Sequence, residues 1–277
     1  MNIQMQATSV LGRVVELVRD LRKRCPWDRA QTRETLRAYL VEEVLELDQS
    51  IGTGNVAEIK DELGDLMLHL AFQIVIGEEA GEFGAEDVTA AIEQKMWRRH
   101  PHLFPERVPT PGASPGGASP GAAKANWELL KNRERAAHGR GVLDGLPPSL
   151  PTLIMSHRLQ ERAAGVGFDW PDETGPREKI HEELAELEAE LGPTREPARL
   201  EHEIGDLLFA VVNLARKTGI DARTALEKAN HRFLHRFRKI EQLAAERGID
   251  VATAGLEKLD KLWEEAKGEE GRGKREE

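Results

Sequence analysis

The sequence contains a single cysteine, Cys25, in 277 residues, so no disulfide can form within the chain. A chain without disulfides suits a reducing compartment, and we predict the cytoplasm. Long apolar runs are also missing, because the longest, Leu66 to Ile76, is broken by His69 and Gln73 and is shorter than the ~20 residues that span a bilayer. The N-terminus lacks a cationic segment followed by an apolar one, so we expect neither a signal peptide nor a membrane partner.

Positive charge is also in deficit. The chain has 39 lysines and arginines against 49 aspartates and glutamates, a net charge of −10, which argues against duplex nucleic acid as a partner. A small anionic ligand is compatible with this balance where metal ions or a local basic cluster meet it. Neither a P-loop nor a G-x-G-x-x-G motif occurs, so phosphate groups would have to be held in another way.

Runs of β-branched residues are scarce, and no segment is a convincing strand. Apolar residues recur instead at intervals of three and four positions, and leucine, alanine, glutamate and arginine dominate, which predicts an all-α fold. We predict helices over about 8–23, 32–51, 55–79, 85–99 and 125–138 in the first half, and over about 150–164, 173–191, 199–218, 222–247 and 256–267 in the second.

Two segments between the helices have the composition of connections. Residues 105–124 are rich in proline, glycine, serine and alanine and offer almost nothing to bury, which predicts a flexible insert. The turn-rich residues 139–148 are predicted to link two domains, at 1–138 and 149–267. The charged tail, 268–277, is predicted to be disordered.

The two halves repeat the same motifs in the same order. "EEVLE" from Glu42 corresponds to "EELAE" from Glu182, and "ELGD" from Glu62 corresponds to "EIGD" from Glu203. Further along, the matching residues are Lys95 with Lys228, Arg99 with Arg232, and Trp127 of "WELLK" with Trp263 of "WEEAK". A repeat of this length predicts two tandem helical bundles of about four to five helices each, joined by a Gly/Pro-rich linker.

Each half carries two pairs of acidic residues three positions apart. In the second half the pairs are Glu183 with Glu186 and Glu203 with Asp206, and on a helix this spacing places both members of a pair on one face. Two such helices packed antiparallel bring four carboxylates together, and carboxylates this close repel each other unless a cation lies between them. Mg²⁺ and Mn²⁺ prefer oxygen ligands and suit such a site.

Two other interpretations of these acids stay open. Glutamates on a charge-rich helix usually form a solvated face, and Glu182 or Glu201 either belongs to that face or adds a further metal ligand. A di-iron carboxylate bundle needs a Glu-x-x-His motif from each of two helices, and only Glu178 with His181 has this spacing near the acids.

A metal site is favoured because the residues around the second acidic pair are apolar. The segment Ile204–Leu214 is apolar nearly all round, which predicts a largely buried helix whose acids need partners. Gly64 and Gly205 stand at the head of the two apolar helices, where a glycine predicts the close approach of a neighbouring helix or of the metal cluster.

Basic and aromatic residues follow the acids. Lys228, Arg232 and Arg236 form a stripe at four-residue intervals, which by itself is equally typical of an amphipathic helix with a basic solvent side. Together with the acids, the stripe predicts cations that neutralise the phosphate oxygens left free by the metal. Trp263 and Lys267 can supply a flat surface for a base and one more charge, although a single tryptophan is more often part of a core.

In their order and spacing these motifs resemble the MazG family of nucleoside triphosphate pyrophosphohydrolases, within the all-α NTP pyrophosphatase group, whose hallmark is EExxE, a spacer and ExxD. The resemblance runs from about Val10 to Lys267 and includes "RRHPHLF" at Arg98, "GFDW" at Gly167 and "KANHRFLHRF" at Lys228. The Gly- and Pro-rich insert before the first-half tryptophan departs from the family pattern.

The resemblance implies a homodimer that hydrolyses NTPs and dNTPs to the monophosphate and pyrophosphate with Mg²⁺, for which Mn²⁺ can substitute. It implies metal-binding, catalytic residues at Glu183, Glu186, Glu203 and Asp206, and nucleotide-binding residues at Lys228, Arg232, Trp263 and Lys267. The matching residues of the first half, a possible second site, are Glu43, Glu46, Glu62, Asp65, Lys95, Arg99, Trp127 and Lys131.

We expect metal-activated water to attack the α-phosphorus, with Glu183 or Glu182 as the base, while pyrophosphate leaves. The second half is favoured as the main site because Arg236 corresponds to Leu103 in the first half, just beyond the helix-ending Pro101. The first half stays open as a second active site, a regulatory nucleotide site or a dimerisation module. Two alternatives for the whole chain are a non-catalytic metal or nucleotide sensor and a related phosphoribosyl-ATP or dUTP hydrolase.

Overall fold

The structure is a computed structural model that describes residues 9–101, 139–192 and 195–273, together with positions 103–104, 106–107, 131–132, 134–135 and 137. Every regular element in these residues is a helix, which confirms the predicted all-α fold. None of the described helices is both long and apolar enough to cross a membrane.

The chain divides into two compact units, residues 1–117 and 118–277. This division lies earlier than the predicted linker at 139–148, so the predicted domain limits stay a prediction. Most of the predicted insert, 105–124, lies outside the described residues. The same is true of the helix predicted over 125–138, of which the described positions are helical.

Unit 1 contains a helical hairpin and three further helices in its described part: α1 (Val10–Arg24), α2 (Pro26–Ala30), α3 (Arg33–Thr53), α4 (Val56–Glu79) and α5 (Ala85–Arg99). Side chains cap the hairpin helices where the sequence predicts that they begin. The Thr32 hydroxyl accepts a hydrogen bond from the Thr35 amide, and the Thr35 hydroxyl accepts one from the Thr32 amide. Asn55 caps α4 through its Oδ1, which accepts hydrogen bonds from the Ala57 and Glu58 amides.

The core of unit 1 forms where α1 and α3 pack against α4. Its buried members are Val15, Val18, Leu36, Ala71, Phe72 and Val75. Arg19 and Arg22 of α1 bind Glu78 and Glu79 at the end of α4, with closest N–O distances of 2.7 Å in both pairs. These two-pronged ion pairs hold α1 at the C-terminal end of α4 and leave the first turns of α4 beside α3.

Unit 2 repeats the hairpin between a preceding helix and two following ones: α6 (Thr152–Ala164), α7 (Thr174–Glu190), α8 (Pro197–Lys217), α9 (Ala222–Glu246) and α10 (Leu256–Gly273). α7 and α8 form the hairpin, α6 packs on α8, and α9 packs on α10 around buried Ile240, Leu243, Ala244 and Leu262. α10 continues to Gly273, beyond its predicted end at Lys267, so the first residues of the predicted disordered tail are helical.

Two loops of unit 2 are tied to its helices. Arg162, which is 7% exposed, donates to the carbonyl oxygens of Leu143 and Asp144 at 3.1 and 2.7 Å, so the segment predicted as a linker is attached to α6. Asp169 of "GFDW" pairs with Arg216 and Lys217 of α8. These contacts fix the entry into α7, the helix that carries the first acidic pair.

Two expectations about the apolar helices are wrong for this chain. α8 is not largely buried, because Ile204, Leu208 and Phe209 are 42%, 56% and 42% exposed. Among the described residues, no atom lies within 4 Å of the position that a Cβ would take at Gly64 or Gly205, so neither glycine has a neighbouring helix close to it within this chain. Apolar periodicity does not distinguish a face packed within a chain from one that the chain leaves open.

Candidate metal centre

Three carboxylates come together in the hairpin of unit 2. Glu183 and Glu186 lie one turn apart on α7, and Glu203 lies on the neighbouring α8. One oxygen atom of each lies within 4.8 Å of one oxygen of both others. We call these three residues the unit 2 cluster.

Glu183 is the most buried member of the unit 2 cluster. It is 4% exposed, its Oε1 lies 2.6 Å from Lys179 Nζ, and its Oε2 is buried without a hydrogen-bond partner. Hydrogen bonds to Glu183 and Glu182 raise the pKa of Lys179 above its ordinary value. Lys179 therefore remains charged and neutralises one oxygen of Glu183, while the other oxygen lacks a partner, which is unfavourable for a buried polar atom.

The unit 2 cluster concentrates negative charge. Desolvation, followed by the charges of Glu183 and Glu203, raises the pKa of Glu186 above its ordinary value. Desolvation and repulsion by like charges both disfavour the ionised carboxylate. A divalent cation between these oxygens would remove the repulsion and give the unpaired Oε2 of Glu183 a partner.

Unit 1 has a corresponding group, formed by Glu43 of α3 with Glu62 and Asp65 of α4, whose oxygens also lie within 4.8 Å of one another. We call these three residues the unit 1 cluster. Desolvation, then the charge of Asp65, raises the pKa of Glu43. Desolvation, then the charges of Glu46 and Glu43, raises the pKa of Glu62. Both units therefore hold three mutually repelling carboxylates, but the third member differs, because it is Asp65 in unit 1 and Glu186 in unit 2.

Some predicted ligands lie outside the clusters. In unit 2, Asp206 Oδ2 lies 3.4 Å from His202 Nε2, and Glu182 Oε1 lies 2.9 Å from Lys179 Nζ. In unit 1, Glu46 is exposed, and its charge helps to raise the pKa values of Glu62 and Glu43. Ligand roles for Asp206, Glu182 and Glu46 stay predictions.

The predicted nucleotide-binding residues of unit 2 form a second group, on α9 and α10. The Trp263 ring lies 5.4 Å from the Phe233 ring, and the Arg236 guanidinium lies 5.5 Å from the centre of the Trp263 ring. Lys228 and Arg232 are exposed on the same face of α9. Lys267 Nζ lies 2.9 Å from Glu264 Oε1.

The described structure does not join this second group to the unit 2 cluster. α9 packs on α10, with smaller contacts to α6 and α8. In unit 1, Lys95 is exposed on α5 and Arg99 lies at its end, whereas Trp127 lies outside the described residues and Lys131 lies in a partly described segment. A nucleotide site that combines acids with cations stays a prediction in both units.

Sequence reasoning missed the contacts that two residues make with the clusters. Lys179 precedes Glu183 by four residues, a spacing typical of ion pairs on a helix, and this signal could have identified it. His69 Nε2 lies 3.6 Å from Glu43 Oε1, and its place on the acid-bearing α4 was the available signal. Neither contact follows from the acid motifs themselves.

The fold and the clusters define the chain as an all-α protein with a duplicated carboxylate centre suited to a divalent cation. Residues 31–104 and 174–240 match the MazG nucleotide pyrophosphohydrolase domain. The chain belongs to the MazG family. The predicted family and the predicted class of enzyme, a nucleotide pyrophosphohydrolase, are thereby confirmed.

Three relatives match nearly the whole chain. The sequence is 42% identical over 244 residues to the nucleoside triphosphate pyrophosphohydrolase/pyrophosphatase MazG of Thermotoga maritima, which covers 88% of this chain and 89% of that protein. It is 38% identical over 259 residues to the nucleoside triphosphate pyrophosphohydrolase of Escherichia coli K12, covering 93% and 95%. It is 39% identical over 259 residues to protein YabN of Bacillus subtilis, covering 92% of this chain and 51% of that protein.

Proposed function

We propose that this protein hydrolyses ribo- and deoxyribonucleoside triphosphates to the monophosphate and pyrophosphate, with Mg²⁺ as the cofactor and Mn²⁺ as a substitute. The observation that carries the proposal is the convergence of Glu183, Glu186 and Glu203 within 4.8 Å. The names of the Thermotoga maritima and Escherichia coli relatives support the same reaction.

The donor set of unit 2 fits Mg²⁺. Three carboxylate oxygens stand close enough to share one ion after small movements, and Mg²⁺ prefers oxygen ligands while it keeps positions for water and phosphate. Glu183, Glu186 and Glu203 would hold the ion, with Asp206 and Glu182 as further candidates. When bound, the ion supplies positive charge to the triphosphate and makes nearby water more acidic.

The residues of the chain provide the rest of the proposed reaction. Glu183 or Glu182 accepts the proton of a water that attacks the α-phosphorus, and the bond from this phosphorus to the bridging oxygen of pyrophosphate breaks. Glu182 is the more exposed of the two, and Lys179 contacts both. Water attack at the α-phosphorus, rather than at the β- or γ-phosphorus of the triphosphate, accounts for pyrophosphate as the leaving group.

The group on α9 and α10 binds the nucleotide in this proposal. Lys228, Arg232 and Arg236 neutralise phosphate oxygens, and Lys267 adds a further charge. Trp263, beside Phe233, offers a flat surface on which every base can stack. A broad range of bases follows, because stacking does not read the hydrogen-bonding edge of a base.

We also propose a homodimer in the cytoplasm. Ile204, Leu208, Phe209 and Val211 of α8 are between 42% and 56% exposed, a density of apolar side chains that favours cover by a second copy of the chain. The free thiol of Cys25 is compatible with a reducing compartment.

An assay of the purified chain with each NTP and dNTP and Mg²⁺, with pyrophosphate and orthophosphate separated by ion chromatography, tests the reaction. We expect pyrophosphate and monophosphate as products. In Glu203→Gln the turnover rate should fall by at least about a hundredfold, because the bound cation stabilises the charge of the transition state by several kcal/mol. Glu62→Gln, the matched change in unit 1, should keep most of the turnover.

Three outcomes would contradict the proposal in different places. Release of orthophosphate alone would place cleavage away from the α-phosphorus. Pyrophosphate that persists in Glu203→Gln but disappears in Glu62→Gln would move the chemistry to unit 1. Metal-dependent nucleotide binding without any release would favour the sensor instead of the enzyme.

A further inference from the structure

His69 lies beside the unit 1 cluster on the inner side of α4. The residue is 9% exposed, and its Nε2 lies 3.6 Å from Glu43 Oε1. This distance is too long for a hydrogen bond. The Nδ1 atom is buried and also has no hydrogen-bond partner.

The ring of His69 also makes an aromatic contact. Tyr39 stacks on the imidazole, with ring centres 6.3 Å apart and planes 19° from parallel. A buried imidazole nitrogen without a hydrogen bond, as Nδ1 is here, is unfavourable, since buried polar groups are normally paired. The Nε2 atom, a potential metal ligand, is directed at the carboxylate of Glu43, which is itself repelled by the charge of Asp65.

The same positions of unit 2 carry other residues. His69 follows Glu62 by seven residues, and the residue that follows Glu203 by seven is Ala210, which is 6% exposed. The neighbour of Glu183 is instead Lys179, an ammonium that cannot bind a metal while it is charged. The unit 1 cluster thus has a buried imidazole nitrogen beside one of its members, whereas the nearby histidine of unit 2, His202, is exposed and faces Asp206 outside the unit 2 cluster.

The distance between His69 Nε2 and Glu43 Oε1 is close to the distance between two ligand atoms of one metal ion. Zn–N and Zn–O bonds are about 2.0–2.2 Å long, which places the two ligand atoms of a tetrahedral site about 3.4 Å apart. The observed 3.6 Å between His69 Nε2 and Glu43 Oε1 requires only a small movement. Imidazole nitrogen favours Co²⁺, Ni²⁺ and Zn²⁺ relative to Mg²⁺, which prefers oxygen alone.

We propose that His69 joins Glu43, Glu62 and Asp65 in a mixed nitrogen and oxygen site of unit 1, which selects a transition-metal cation such as Co²⁺ or Zn²⁺ over Mg²⁺. The inference rests on the proposed function in one respect, that the carboxylate clusters bind divalent cations. It adds that the two units differ in the class of cation that they hold.

The test is a calorimetric titration of the full chain with CoCl₂ or MgCl₂ in a Glu203→Gln background, which removes the unit 2 site. His69→Gln should weaken Co²⁺ binding by about tenfold or more, the scale on which residues around a metal control its affinity. The same change should leave Mg²⁺ affinity almost unaltered. His202→Gln is the matched control, since His202 also faces a carboxylate, Asp206, at 3.4 Å but is exposed, and it should change neither affinity.

Several results would overturn the inference. Equal weakening of Co²⁺ and Mg²⁺ would make His69 a structural support of the cluster, and tighter binding of both would make it a competing counter-ion. A Co²⁺ affinity that does not change would also contradict a ligand role. By contrast, a wild-type chain that binds neither cation would contradict the proposed function itself.

A second measurement does not depend on the folding of His69→Gln. Pulsed electron paramagnetic resonance of Mn²⁺ bound to the Glu203→Gln chain detects coupling to a directly bound imidazole nitrogen. We expect this coupling with the histidine in place, and its absence would overturn the inference.

Discussion

Lys179 Nζ lies 2.6 Å from Glu183 Oε1, one turn away on α7. The position of Lys179 is occupied in unit 1 by Tyr39, and there the polar neighbour of the first glutamate is His69 of α4. The two units therefore share the acid motifs, but the polar neighbour of the first glutamate lies on the same helix in unit 2 and on the other hairpin helix in unit 1. Duplication preserved the acids, while the residues around them diverged.

Replacement of Lys179 should destabilise unit 2 in the absence of divalent cations. Lys179→Met leaves Glu183, which is 4% exposed, without its positive neighbour, and an unpaired buried charge is unfavourable. Thermal unfolding in a chelating buffer should show a lower midpoint than wild type. Saturating Mg²⁺ should close most of the gap, because the cation takes over the neutralisation.

Lys261→Met is the control for this change. Lys261 forms an ion pair with Glu257 at the same four-residue spacing, but both side chains are exposed, so its loss should have little effect. Equal destabilisation by the two variants, or a gap that Mg²⁺ does not reduce, would show that Lys179 does not neutralise the cluster.

The stability of the chain should depend on pH through Glu186. The folded-state pKa of Glu186 is raised above its ordinary value of 4.5, so the folded state holds this proton more tightly than the unfolded state does. Stability from this group is present below pH 4.5 and is lost as the pH rises through the raised value. The pH window therefore runs from 4.5 to the raised pKa of Glu186. Without divalent cations, the free energy of unfolding of Glu186→Gln should be larger than that of wild type above this window, and the two should be equal below it.

Chemical denaturation at both ends of the window measures this difference. Glu188→Gln serves as the control, because Glu188 is exposed on the same helix outside the unit 2 cluster. A stability difference for Glu186→Gln that does not change with pH would contradict the electrostatic origin of the shift. Saturating Mg²⁺ should reverse the order and favour wild type.

Loss of the Trp263 ring should weaken nucleotide binding for every base. Base stacking on an aromatic side chain contributes about 1–3 kcal/mol, so Trp263→Ala should raise KM by about 5- to 150-fold. Trp263→Phe keeps a ring beside Phe233 and should retain much of the affinity. Steady-state kinetics with four NTPs, on variants with unchanged circular dichroism, measures the effect, and an increase confined to one base would contradict simple stacking.

A charge on the exposed face of α8 should prevent dimer formation. Leu208 is 56% exposed in the single chain, and a buried carboxylate at an apolar interface would cost about 2 kcal/mol or more, about a thirtyfold change in dimer Kd. Leu208→Glu should therefore elute as a monomer in size-exclusion chromatography with light scattering. Leu256→Glu, at an 83% exposed position at the start of α10, should leave the mass of wild type, and a wild-type chain that is monomeric would reject the dimer.

Sequence patterns located the helices well where caps and breakers are local. The predicted helix over 85–99 agrees with α5, and Asn55, the predicted start of the third helix, is the cap of α4. The duplicated motifs predicted the two hairpins because each motif carries its spacing with it. The wrong expectations concern α8 and the two glycines, whose surroundings depend on what packs across from them.

The candidate site divides in the same way. The spacing of three residues predicted that Glu183 and Glu186 share a face, since helical geometry is local. It did not predict that Glu203 would join them without Asp206, or that Lys179 would occupy one oxygen of Glu183. Those outcomes depend on which faces of α7 and α8 pack together, and many residues outside the motifs contribute to that packing.

The sequence by itself determined the helices, their duplication, the acid motifs and the family, because each depends on short-range spacing or on the order of motifs along the chain. Only the tertiary structure decided which three carboxylates meet in each unit, that His69 faces one cluster and Lys179 the other, and that the apolar face of α8 lies open. The physical reason is that distances between helices, and the burial that shifts a carboxylate pKa, arise only when separate segments pack together.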